Sequence, residues 1–290
     1  MVSVRDWVDG ARPRTLPAAV APVAAGTGAA AYDDGVVWWK ALLALVVALA
    51  LQVGVNFAND YSDGVRGTDA DRVGPRRLVG SGSVAPAVVR TAALGGFAVG
   101  ALAGLVLAAT SGWWLLGVGA AAIAAAWFYT GGSRPYGYHG LGEVTCFVFF
   151  GLVAVCGTTY VQLGQVTVPS LLAAIGAGAL ACVLLVANNL RDIPTDRVAG
   201  KRTLAVLLDD RGTRGLFVAL MLVAVAVPVL LAGTTSWVLL AALALPVIVR
   251  ASRPVLAGAA GSALIPVLRD SALAQLVWAL GLGLGLALGG

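Results

Sequence analysis

"LALVVALALQVGVNFANDYSDGVRGTDADR", residues 43–72, passes without a break from aliphatic side chains into a segment holding Asn56, Asn59, Asp60, Asp63, Asp69 and Asp71. The apolar half belongs to a run long enough to cross a bilayer, because about 20 helical residues cover a hydrocarbon core roughly 30 Å thick. The polar half starts while the helix is still apolar. An ionised Asp at mid-membrane depth costs roughly 2.5–3.5 kcal/mol on insertion scales, so carboxylates placed there normally face a cavity and have a function. The stretch therefore predicts an all-α polytopic membrane protein with a polar site where helices leave the membrane.

Composition agrees. Of the 290 residues 59% are hydrophobic and 11% charged, far below the roughly 25% charged residues of soluble domains. Nine stretches read as spans, near 15–32, 37–58, 86–110, 112–130, 143–163, 168–189, 214–232, 235–250 and 272–289. Nine spans put 18 of the 19 basic residues on one side, leaving only Lys40 opposite. By the positive-inside rule that side is cytoplasmic, as is the N-terminus, and the odd count places the C-terminus outside the cell membrane. The first run, with two Pro behind the amphipathic "VRDWVDGARPR" (residues 4–14), reads as a retained helix rather than a cleaved signal. The net charge of +5 lies between apolar runs rather than on one soluble face, so nucleic acid is not an expected partner. Cys146, Cys156 and Cys182 show no CxxC spacing and His139 is the only His, which argues against thiolate or imidazole metal chemistry.

A second acidic segment closes the sixth stretch, "VANNLRDIPTDRVAGKRTLAV" (186–206). Asn56, Asp60 and Asp63 recur at i, i+4, i+7 and Asn188, Asp192 and Asp196 at i, i+4, i+8, so each set shares a helix face until Pro194 perturbs or ends the second helix. Asn56 and Asp60 lie 132 residues before Asn188 and Asp192, and "DRVGPRRL" echoes "DRVAGKRTL". This predicts one domain over 1–290 built from a repeat, spans 1–4 and 5–8, with span 9 appended. Gly96, Gly100 and Gly104 in the third stretch predict close helix packing.

Paired Asp clusters without His or Cys suit Mg²⁺, which takes one or two carboxylates plus phosphate oxygens and water. Interleaved Arg and Lys suit the remaining phosphate charge. An EF-hand is excluded because Tyr61 and Ala70 fall on ligand positions, and no Walker A loop occurs. The expected ligand is a lipid diphosphate with its tail in the membrane. A transporter also builds sites from repeats and broken helices, but here both acidic clusters lie at the same face.

"NDYSD" followed by "RDIPTD" resembles the paired motifs of the UbiA superfamily of intramembrane aromatic prenyltransferases. The segments 12–30, 56–82, 129–151 and 188–206 are similar to the branch acting on 1,4-dihydroxy-2-naphthoate in menaquinone biosynthesis. The resemblance implies nine transmembrane helices around a central cavity, and Mg²⁺-dependent transfer of a polyprenyl group from polyprenyl diphosphate to 1,4-dihydroxy-2-naphthoate with release of diphosphate and CO₂. Other acceptors within the family, 4-hydroxybenzoate, homogentisate, haem or a lipid glycerol, remain alternatives. It implies Asp60, Asp63, Asp192 and Asp196 as Mg²⁺ ligands, supported by Asn56 and Asn59, with Asn188 as the counterpart of Asn56. The first motif departs at Gly67, where a further Asp is usual, and Asp69 or Asp71 is expected to substitute. Arg66, Arg72, Arg134, Arg191 and Lys201 are the expected diphosphate contacts. Aromatic residues between Trp127 and Phe150 can shield a carbocation. Glu143, the only Glu in the chain, is expected to orient or deprotonate the aromatic acceptor.

Overall fold

Helices take up nearly all of the computed structural model, which describes residues 3–67 and 77–290. A short amphipathic helix α1 (Val4–Ala11) is capped by Ser3 and Asp6 in a reciprocal box and precedes the membrane bundle. The bundle comprises α2 (Pro17–Tyr32), α3 (Trp38–Arg66), α4 (Pro86–Ser111), α5 (Leu115–Phe128) and α6 (Gly142–Leu163). It is completed by α7 (Val168–Val198), α8 (Leu204–Leu231), α9 (Ser236–Leu256) and α10 (Gly261–Ala287).

Among the described residues, α2 to α10 correspond one to one with the nine stretches. Seven of them are long and apolar enough to cross a membrane by themselves, whereas α2 has 16 residues and α5 only 14. Several helices outrun the apolar limits. The third helix continues through the acidic segment to Arg66, ending at Gly67 in a left-handed C-cap with φ +72°. Helix α7 does not stop at Pro194 but runs to Val198. Arg250 and Arg253 lie on α9 and Arg269 on α10, so these cations sit on helix ends rather than in a loop.

Close approach between helices is set by glycine. A Cβ at Gly28 on α2 would stand 2.3 Å from the backbone of Gly283 on α10, and one at Gly151 on α6 would stand 2.6 Å from Gly178 on α7. Of the three glycines spaced by four along α4, a Cβ at Gly96 would meet Gly54 of α3 and one at Gly100 would meet Leu51, but one at Gly104 would meet nothing within 4 Å, and Gly104 lines the cavity instead. Helix α7 is the most enclosed span. On α10, Trp278 wedges against Gly176 of α7 and donates from Nε1 to Ala224 O of α8 at 2.8 Å.

The cavity, about 950 Å³, is walled by α2 to α7 and α10, with α1 at its mouth; α8 and α9 pack behind α7 and α10. Its α6 wall, Phe147–Cys156, winds in wide π turns, a geometry that recurs at functional sites. The bilayer cannot drive association of apolar helices, so packing does. Gly28→Val should therefore lower the melting temperature measured in detergent, at an overpacking cost of about 1–3 kcal/mol or more, whereas Gly104→Val should melt near the wild type.

Candidate active site

The end of α3, the end of α7 and the loop between α5 and α6 meet at one end of the bundle. Because α3 continues as a helix past Asn56, its acids point in two directions. Asp63 accepts a short hydrogen bond from the Tyr138 hydroxyl and pairs with Arg77 at 3.4 Å. Tyr138 also lies beneath Lys201, whose Nζ is 4.6 Å from the ring centroid, and Lys201 pairs with Asp196 at 3.7 Å. The Tyr138 carbonyl accepts from Arg202 N at 2.9 Å. Asp63 and Tyr138 thus connect to Lys201 and Asp196, joining the two acidic segments. Asp63, Asp192 and Asp196 are close enough for their charges to interact.

Asp192 is held by its sequence neighbour: Arg191 donates from Nε and Nη2 to the two carboxylate oxygens, each at 2.7 Å. Nη2 also reaches Asn188 Oδ1 at 2.8 Å. This fork keeps Asn188 and Arg191 on the cavity wall.

Asp60 is 1% exposed and both its oxygens accept backbone N–H bonds, from Leu78 at 2.8 Å and Val79 at 3.0 Å. It ties the returning chain to α3 and thereby holds Arg77 over Asp63. Asn59 accepts from Thr130 Oγ1 at 2.7 Å. Arg66 donates in short contacts to the carbonyls of Thr130 and Gly132 and lies 5.8 Å from the Tyr138 ring. Its guanidinium secures the loop after α5, and exposed Arg134 makes no hydrogen bond among the described residues. Arg72, Asp69 and Asp71 lie outside the described residues.

Glu143 is buried in the first turn of α6 and accepts from Asn189 Nδ2 at 2.8 Å, a place where the helix N-terminus favours a carboxylate. Asn188 faces the cavity and Asn189 faces α6, because neighbours on a helix diverge by about 100°. Beside them Tyr136 donates to Ala125 O at 2.7 Å, and burial raises its phenol above the usual range, so it stays a neutral donor at neutral pH.

Sequence reasoning missed four participants: Tyr138, counted only among the aromatics; Arg77, counted only for topology; Asn189, beside the expected Asn188; and Thr130. Only for Arg77 was there a usable signal, the recurrence of "DRVGPRRL" in "DRVAGKRTL", which sets Arg77 against Arg202 beside the second acidic segment.

No three His, Cys, Asp or Glu side chains among the described residues converge closely enough to hold a metal alone. Asp63, Asp192 and Asp196, with the amide oxygens of Asn59 and Asn188 nearby, do suit a hard cation that takes one or two carboxylates and completes its shell with phosphate and water.

Two acid-bearing helix ends closed over an apolar cavity define a membrane protein that receives a charged head group joined to a lipid tail. The chain belongs to the UbiA prenyltransferase family, whose model matches residues 19–253. It is 59% identical over 289 residues to the 1,4-dihydroxy-2-naphthoate octaprenyltransferase of Mycobacterium tuberculosis, covering 100% of this chain and 99% of that one. Its fold is shared with a UbiA homologue from Aeropyrum pernix, TM-score 0.70 at 17% identity, covering 92% of this chain and 96% of that one. A UbiA homologue from Archaeoglobus fulgidus, solved bound to DMAPP and Mg²⁺, gives TM-score 0.61 at 15% identity, covering 96% and 99%.

Asp60 and Asp63 should separate on substitution. Asp60→Asn removes one acceptor of a backbone amide pair, and is expected to lower thermal stability by about 1–3 kcal/mol and to speed proteolysis after residue 77, leaving the Mg²⁺ requirement unchanged. Asp63→Asn is expected to raise the Mg²⁺ concentration needed for half-maximal activity.

Proposed function

We propose that this protein transfers a polyprenyl group from polyprenyl diphosphate to 1,4-dihydroxy-2-naphthoate in the cell membrane, releasing diphosphate and CO₂ and forming demethylmenaquinol. The carrying observation is the link from Asp63 and Tyr138 to Lys201 and Asp196, which draws both acidic helix ends together beside a 950 Å³ apolar cavity. The full-length identity with the mycobacterial octaprenyltransferase supports the choice of acceptor.

In this reading Asp63, Asp192 and Asp196 hold Mg²⁺, with Asn59 in support, while Asp60 anchors the loop above them. Mg²⁺, when bound, supplies positive charge to the leaving diphosphate. Arg77, Arg191 and Lys201 stand beside Asp63, Asp192 and Asp196, one to each, and would turn to the phosphate oxygens once Mg²⁺ takes up the carboxylate charge. The allylic C–O pair departs with diphosphate, the ring's electrons form the new C–C bond, and the pair released as the carboxyl group leaves as CO₂ restores the aromatic ring. Phe149 and Phe150 on the cavity wall offer faces that stabilise cationic charge and exclude water.

Arg66 and Asn56 serve as positioning residues, and Arg134 remains a candidate for diphosphate capture, as does Arg72 from its place in the first acidic segment alone. Glu143 acts through Asn189, fixing α6 against α7 rather than removing a proton. The charge pattern supports a cytoplasmic N-terminus and site, with the C-terminus outside, and the matched Asn/Asp spacings support descent of α2–α5 and α6–α9 from one repeated unit.

Purified protein given a polyprenyl diphosphate and Mg²⁺ should prenylate 1,4-dihydroxy-2-naphthoate in preference to 4-hydroxybenzoate, with product mass showing loss of CO₂. Full activity in chelator, or product from 4-hydroxybenzoate alone, contradicts the proposal. Glu143→Gln, which keeps an oxygen for Asn189, should hold kcat within about threefold and leave its pH profile unmoved, since a general base contributes about 10²–10⁴.

A further inference from the structure

The turn between α1 and α2 carries charge that the site described so far does not use. Helix α1 is pinned to α3: Trp7 meets Phe57 edge to face at 5.6 Å, and a Cβ on Gly10 would come within 2.8 Å of Leu78. Arg12 and Arg14 are thereby brought to the cavity. Arg12 adopts φ +55°, a left-handed conformation uncommon away from glycine, and the strain is borne by a polar clamp from α3.

The clamp has one consistent set of donors. The Ala11 carbonyl can only accept, so the Asn56 atom 2.8 Å away is Nδ2, which also donates to Thr15 Oγ1 at 2.9 Å. Asn56 Oδ1 then faces Gln52 Nε2 at 3.4 Å, and that nitrogen also donates to Thr15 Oγ1 at 3.0 Å. Thr15 passes its own proton to Arg12 O at 2.9 Å. Every atom of the cluster is matched except Gln52 Oε1, which is buried without a partner on a side chain 6% exposed that lines the cavity. An unmatched buried acceptor calls for a donor.

We propose that Arg12, Arg14 and Gln52 form the acceptor subsite, the two arginines taking the carboxylate of the naphthoate and Gln52 Oε1 accepting a hydroxyl proton. This rests on the acceptor assigned under Proposed function. An ionised diphosphate has no proton to offer Gln52, whereas a dihydroxy acid offers both a donor and an anion. Around the same cavity Arg77 is engaged by Asp63, Arg191 by Asp192 and Arg269 by Asp270, while Arg14, beside the clamp, and Arg5, on α1, have no ion-pair partner among the described residues. Gln52 lies eight residues before Asp60, about 12 Å deeper along α3, so the diphosphate at the acidic rim and the ring below it do not compete for space. Asn56 then acts as a positioning residue for the acceptor.

The test uses full-length protein in lipid nanodiscs, with Mg²⁺ and inorganic diphosphate present, titrated with 1,4-dihydroxy-2-naphthoate and with 1,4-naphthalenediol, which lacks the carboxylate. Arg12→Gln and Arg14→Gln should weaken naphthoate binding at least tenfold, leave naphthalenediol binding within threefold, and in turnover raise KM for naphthoate but not for polyprenyl diphosphate. Gln52→Leu should weaken both aromatic ligands. Arg14 is exposed, so unchanged melting of Arg14→Gln separates recognition from folding. Naphthoate binding equal to wild type in all three variants, or an equal loss for polyprenyl diphosphate, overturns the subsite. A wild-type protein that prenylates only a different aromatic overturns the acceptor reading itself, and this inference with it.

Discussion

A carboxylate taken out of water must find compensation where it lands, and at a membrane boundary the alternatives are few. The site is organised by that demand. Asp60 is met by two backbone amides, Asp63 by a phenol and a guanidinium, Asp192 by its neighbouring Arg191, Asp196 by Lys201 and Glu143 by an amide side chain. The pairings of Asp60, Asp63 and Glu143 each tie one segment to another. The loop after residue 77 is fastened to α3, the loop before α6 bridges α3 and α7, and α6 is fastened to α7. The same interactions that make the charges tolerable give the site its shape.

That shape leaves little positive charge in reserve. The arginine and lysine partners are mostly matched to acids one for one, so an arriving diphosphate alone would bring uncompensated negative charge. In the proposed reaction a divalent cation between the two acidic helix ends would balance that charge. The apolar bundle below has a different task. Where helices must touch, glycine removes the side chain, as at Gly28 against Gly283; where they must stand apart, small residues such as Gly104 and Ala122 open the wall to the cavity. One residue type thus serves contact in one place and space in another, and only the neighbours decide which.

Much of this was legible in the amino-acid order. Hydropathy placed α2 to α10, and the acidic segments stood out because they begin inside apolar helices. The helix limits were less legible, since α3 and α7 continue through polar residues that a membrane scale treats as their end; α7 passes even Pro194, because a proline costs one backbone hydrogen bond and tertiary contacts hold the helix on both sides of it. Individual roles were least legible. Asp60 and Asp63 look equivalent in the motif, yet one faces Leu78 and Val79 and the other Tyr138. Arg66 was expected at the diphosphate, and its contacts with the carbonyls of Thr130 and Gly132 are not foreshadowed by the motif.

The sequence by itself determined the class of structure, the position of the acidic helix ends and the hard-oxygen chemistry they offer, because hydropathy and charge are properties of a local stretch. Only the tertiary structure decided which acid meets Tyr138 and Arg77 and which meets backbone amides, that Asn189 rather than Asn188 holds Glu143, and that Gln52 keeps a buried acceptor unmatched. Those choices depend on helix phase and on where a chain returns after dozens of residues, and neither is written in any short segment.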